Sequence, residues 1–162
     1  MKPLKEWSVK APWGNIALMS WGNPKGKPVL LIHGRQDSLS TFIPLLNKLP
    51  EKCHYVAFDL PGHGKSDPFP IGIKLMRLHF VSAMDFVVQH LGWKQFVVIT
   101  HSMGGELAMF YNVVRPNKIT KCIHLDIGMA LRSITMDITP ETYKVFYGDY
   151  YDNYHKENYD DR

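Results

Sequence analysis

The chain has 162 residues, 45% of them hydrophobic, which is enough for one domain with a real core and too little for two comfortable ones. Its formal net charge of +4 comes from 19 basic and 15 acidic residues scattered without a stripe or basic run, so nucleic acid is not an expected partner. Neither the opening MKPLKEWSVKAPWG nor any later stretch has the apolar length of a signal-peptide core or a membrane span. A soluble, cytoplasmic protein is expected, with a peroxisomal or vesicle-associated location left open.

Glu6 to Lys10 and Asn15 to Trp21 flank the turn Ala11-Pro12-Trp13-Gly14 and predict a hairpin. Pro28 to Ile32, PVLLI, is a continuous apolar run of the kind that a strand buried on both faces needs. Ser38 and Ser40 are candidate caps of a short helix reaching about Leu49, with Pro44 limiting its first turn. Cys53 to Phe58 predicts another buried strand. Ile73 to Leu91 predicts a helix whose core face carries Ile73, Met76, Phe80, Met84, Val87 and Leu91 at steps of three and four. Lys94 to Thr100 is the next strand. Met103 to Arg115 is the next helix, burying Met103, Leu107, Phe110 and Val114 and stopping before Pro116. Ile119 to Leu125 is the last strand. Cys53 and Cys122 fall inside apolar strand-like segments and are expected to be buried free thiols in a reducing compartment. After Gly128 the pattern loosens into a helical stretch from Pro140 to Tyr147 and a polar, tyrosine-rich tail.

Strands alternating with helices predict an α/β architecture with a largely parallel sheet behind an antiparallel hairpin. Residues 1–128 are expected to form the core, and 129–162 the start of a lid region or a polar tail.

Three loops at the ends of buried strands carry the unusual residues, where ligands of such sheets sit. In His33-Gly34-Arg35 the glycine permits a sharp turn and frees a following amide, most simply that of Arg35. The plainer reading is a strand-ending glycine with a histidine that braces the turn. Asp59-Leu60-Pro61-Gly62-His63-Gly64-Lys65-Ser66 reads as a tight scaffold loop, and His63 as a loop residue rather than a base. The third loop, ITHSMGG from Ile99 to Gly105, sets Ser102 between a buried strand and an amphipathic helix. A serine in such a turn projects from strained backbone and needs small residues two before and two after it. Gly104 fits. Thr100 is large for its place, so strand and helix must sit apart or its methyl must find a gap. The amide of Met103, in the first helical turn, would pair with that of Arg35 to hold a developing oxyanion.

Together, APWGNIALMSWG, KPVLLIHG, YVAFDLPGHGKS and THSMGG, in that order and at that spacing, resemble the α/β-hydrolase superfamily and, within it, the serine hydrolase-like proteins. The resemblance covers roughly residues 7 to 128. It implies Ser102 as nucleophile, the Arg35 and Met103 amides as oxyanion hole, and His33 with Gly34 as the structural turn. The implied chemistry is cleavage of a carboxylic ester, thioester or amide through an acyl-enzyme, with a small apolar acyl substrate.

The superfamily orders its triad serine, acid, histidine. Asp126 stands where an alternative acid occurs, with a helix cap or turn residue as the other reading. His155 alone among the histidines follows Asp126, but it lies in the aperiodic tail with nothing evident to position it. A non-catalytic hydrolase-like protein that binds an acyl ligand or a protein partner is the alternative. No metal-ligand cluster or phosphate-binding glycine loop is visible, so no cofactor and no metal are expected. Strand 119–125, left with little cover, is expected to invite self-association.

Overall fold

The apolar runs assemble into one six-stranded sheet in a computed structural model that describes residues 4–73 and 75–127. In chain order the strands are β1 (Lys5–Ala11), β2 (Gly14–Gly22), β3 (Lys27–Ile32), β4 (Cys53–Phe58), β5 (Phe96–His101) and β6 (Ile119–Leu125). The helices are α1 (Ile43–Leu46), preceded by a 3-10 turn Leu39–Phe42, α2 (Arg77–His90) and α3 (Met103–Val114). The sheet order is β1-β2-β4-β3-β5-β6. β1, β2 and β4 pair antiparallel, while β4, β3, β5 and β6 run parallel. This is the α/β-hydrolase architecture that the motifs imply, an antiparallel hairpin leading into a parallel sheet.

Period-two alternation divides the strands between two cores. Leu30, Ile32, Val56, Phe58, Phe96 and Val98 pack with Met84, Val87, Leu107 and Tyr111 of α2 and α3. Val29, Leu31, Tyr55, Ala57, Val97 and Ile99 pack with Phe42 and Leu46 beside α1. Both faces of β3, β4 and β5 are therefore covered, which is why their sequences are apolar throughout. Each fully buried aliphatic or aromatic side chain contributes about 1.5–3 kcal/mol.

Register levels the strand ends. Ile32 pairs with both Phe58 and Thr100, and Thr100 pairs with His124. The loops that begin at His33, Asp59, Ser102 and Asp126 consequently leave the sheet along one edge.

Several sequence expectations shift. α2 begins at Arg77, not Ile73, because Met76 is extended (φ −123°, ψ 157°) and caps the helix. Its N–H donates to His79 Nδ1 at 2.9 Å and its carbonyl accepts the His79 N–H at 2.9 Å. Ile73 and Met76 are exposed as a result, and the core face runs through Phe80, Val81, Met84, Val87 and Val88. On α3 it is Tyr111 that is buried and Val114 that is 53% exposed, a rotation of the expected face. Ser38 precedes the 3-10 turn, but its Oγ lies 2.6 Å from Ser40 Oγ and caps nothing. Cys53 is half-buried and Cys122 exposed, because β6 is an edge strand among the described residues. No described helix is long and apolar enough to cross a membrane. The expected helix Pro140–Tyr147, the division at 128/129 and His155 fall outside the described residues.

Candidate active site

Where β5 passes into α3, Ser102 takes φ 48° and ψ −121°. This lies outside the regions an L-residue adopts without cost and persists only when the surroundings hold it. They do so from two sides. The Ser102 N–H donates to Leu125 O at the end of β6 (3.1 Å), and its carbonyl accepts the Gly105 N–H (2.9 Å). Met103 opens α3 directly afterwards, in the turn where helical bonding leaves backbone donors open.

Two glycines let other backbone approach this turn. A Cβ on Gly34 would stand 3.1 Å from Ser102 Cβ and 3.2 Å from His101 Nδ1, so the loop after β3 lies directly against the serine. A Cβ on Gly104 would meet the carbonyls of Ile32 and His33, the latter at 2.8 Å. The start of α3 is thus pressed onto the end of β3. Thr100 is fully buried, and its Oγ1 lies 2.6 Å from His124 Nδ1 on the neighbouring strand. Its hydroxyl is accommodated sideways in the sheet, and the helix start stays close.

His33 has no solvent exposure. Its Nε2 accepts the Leu60 N–H at 3.0 Å, which leaves the ring proton on Nδ1 to donate to Gly34 O at 2.6 Å. Burial pushes its pKa down to about 4, so the ring is neutral and ties the loops after β3 and β4 together. Asp59, also buried, accepts the Leu39 N–H (2.6 Å) and the Lys65 N–H (2.8 Å), while burial raises its pKa. Ser66 completes this loop by accepting the Ala17 N–H (2.9 Å) and donating to Asp59 O (2.8 Å).

A family model described as alpha/beta hydrolase fold matches residues 27–158 of this sequence. The chain belongs to the alpha/beta hydrolase fold family. It is 37% identical over 128 residues to the serine hydrolase-like protein of Homo sapiens, covering 79% of this chain and 63% of that protein. It is 33% identical over 125 residues to a probable serine hydrolase of Drosophila melanogaster, covering 76% of this chain and 38% of that one. The chain thus spans less than two thirds of the length of either relative. Among solved structures, the thioesterase domain from the curacin biosynthetic pathway superposes with a TM-score of 0.64 at 32% identity, covering 72% of this chain and 42% of that domain. A hypothetical protein of Pseudomonas aeruginosa PAO1 superposes with a TM-score of 0.70 at 29% identity, covering 74% and 42%.

Within this family fold, the structure gathers His33, Gly34, Thr100, Ser102, Met103 and Gly104 around one turn, with the exposed Arg35 in the adjoining loop. Asp126 follows Leu125, whose carbonyl holds the Ser102 N–H; it is exposed, at φ 49°, and its carboxylate has no hydrogen-bond partner among the described residues. No group of three or more His, Cys, Asp or Glu side chains is placed to hold a metal among the described residues.

Two contacts escaped the sequence reading. His101 Nδ1 lies 3.3 Å from Asp37 Oδ2, an encounter of residues 64 positions apart that no local pattern announces. Glu106, in the first turn of α3, is buried and pairs with Arg77 at the start of α2, Nε to Oε2 2.7 Å. Beside the serine turn, an open cavity of about 400 Å³ is lined by Thr41, Phe42, Pro44, Leu45, Lys48, His101 and Leu125.

Proposed function

We propose that this chain carries the nucleophile half of a serine hydrolase acting on carboxylic esters, thioesters or amides. The observation that carries the reading is the conformation of Ser102, φ 48° between strand and helix with Gly34 against it. Backbone strain of this kind is what lifts a serine oxygen clear of its own chain in a nucleophile elbow. In this reading Ser102 Oγ attacks the acyl carbonyl carbon as a base removes its proton. The carbonyl oxygen becomes an oxyanion facing the Arg35 and Met103 amides, with the N-terminus of α3 adding its positive dipole end. Collapse expels the alcohol, thiol or amine and leaves an acyl-Ser102 ester, which water then hydrolyses. Asp126 and His155 take the acid and base roles by chain order. The printed descriptions of the relatives, serine hydrolase-like and probable serine hydrolase, support the same chemistry.

The test is labelling of the full 162-residue chain with a fluorophosphonate, beside Ser102→Ala, Asp126→Ala and His155→Ala. Labelling that Ser102→Ala abolishes is the expected result, and a drop in His155→Ala assigns the base. A folded parent chain that fails to label overturns the reading and leaves a binding protein built on a hydrolase fold.

A further inference from the structure

We infer that Asp37 and His101 form a pin holding the segment 34–37, with the Arg35 amide, over the Ser102 turn. This rests on the reading of Ser102 as nucleophile, and it makes both side chains positioning residues rather than catalytic ones.

The segment is held at both ends, and His33 Nδ1 also donates to Gly34 O at 2.6 Å. At one end Gly34 touches the turn so closely that a single added carbon would contact Ser102 Cβ and His101 Nδ1. At the other end the Asp37 carboxylate spans two elements. Its Oδ1 accepts the Ser38 N–H at 2.8 Å, while its Oδ2 faces His101 Nδ1 at 3.3 Å. An ionised carboxylate only accepts, so the proton of this contact resides on His101 Nδ1. Between the two points lie Arg35 and Gln36, and Gln36 sits at φ 54°, a conformation a non-glycine residue keeps only when its neighbours impose it. The His101 ring lines the cavity of about 400 Å³ on one side and meets Asp37 Oδ2 on the other. The contact with Asp37 is what fixes the ring. An exposed ion pair contributes little to global stability. Here both partners are partly shielded, at 38% and 25% exposure, and the effect is local: it sets the distance between the two amides proposed to share one oxyanion.

The test uses the full 162-residue chain and two readouts. Backbone ¹⁵N order parameters for Arg35 and Gln36 report the pin directly, and the rate constant for fluorophosphonate labelling of Ser102 reports its consequence. In Asp37→Ala the order parameters fall from about 0.85 to below about 0.6 with the melting temperature little changed. Labelling slows by about tenfold to a hundredfold, as misplacing one oxyanion donor does. Asp37→Asn restores both readouts, because its amide can donate to neutral His101 Nδ1 while its oxygen keeps the Ser38 N–H. His101→Ala cuts the contact from the other side and serves if Asp37→Ala does not fold. Rigid Arg35 and Gln36 amides in either folded variant overturn the pin. A parent chain that never labels overturns the nucleophile reading alone, since the order parameters still decide whether the pin exists.

Discussion

Adding one methyl group at Gly104 tests how tightly the serine turn is built. The new Cβ would stand 2.8 Å from His33 O and closer still to Ile32 O, both backbone atoms with no rotamer to escape into. An ordinary C···O contact is about 3.3 Å, so the start of α3 must retreat by at least about 0.5 Å, and by more on the Ile32 side. Overpacking of this kind costs about 1–3 kcal/mol, against a helix-propensity gain of about 1 kcal/mol for alanine over glycine. The clash involves main chain on both sides, which places the net loss near 2 kcal/mol. For a chain of this size that lowers the melting temperature by about 4–8 °C. Because Ser102 lies two residues upstream, the same retreat displaces the turn relative to Gly34, and a shift approaching 1 Å slows phosphonylation by about a hundredfold. Asn112→Ala, on the exposed part of α3, supplies the propensity gain without the clash. Thermal melts by circular dichroism and labelling time courses read both effects. A Gly104→Ala chain that melts within a degree or so of the parent and labels at the parental rate would refute the argument.

Burial of His33 makes stability depend on pH. Its folded pKa, about 4, lies below the ordinary 6.5, so the unfolded chain binds a proton that the folded chain refuses. The contribution is complete above pH 6.5 and is lost as pH falls towards 4, about 3 kcal/mol in all. Asp59, with its raised pKa, acts in the opposite sense. Urea titrations of His33→Asn should lack the slope between pH 6.5 and 4 that the parent shows; parallel curves would contradict this. Ser66→Ala removes the acceptor of the buried Ala17 N–H and a donor to Asp59 O, and should cost about 1–3 kcal/mol in chemical denaturation. A loss below about 0.5 kcal/mol would show that water or rearrangement replaces the hydroxyl. On β6, an edge strand among the described residues, Ile123 is 49% and Leu125 39% exposed. The parent chain should therefore self-associate with rising concentration, and Ile123→Lys should shift it towards monomer in sedimentation velocity. A parent that is monomeric at all concentrations removes the premise.

The parts of the fold legible in the sequence were those written as local pattern. PVLLI and the run Phe96 to Ile99 are apolar at every position because both of their faces are covered. The serine turn was legible because small residues and a helix start must follow one another directly there. The phase of α3 was legible only in part. Apolar spacing favours Met103, Leu107, Phe110 and Val114, and Met103 and Leu107 are buried, but the contact of Gly104 with the end of β3 goes with a face that also turns Ala108 and Tyr111 inward and leaves Val114 exposed. Glycine has no hydrophobic signal to announce such a role. The start of α2 was misplaced because Ile73 and Met76 continue the apolar spacing beyond the residue where the His79 ring ends the helix. Asp37 with His101, and Arg77 with Glu106, are products of tertiary folding between distant positions, and periodicity carries no trace of them.

The backbone at Ser102 sets the demands of stability and chemistry against each other. Glycine would occupy φ 48°, ψ −121° without the steric cost of a Cβ, and replacing a strained non-glycine residue in such a region relieves about 1–3 kcal/mol. A chain shaped for robustness alone would therefore carry glycine at position 102. Serine there is a standing cost to the fold. Ser102→Gly should outlast the parent on heating while losing the hydroxyl proposed as the nucleophile.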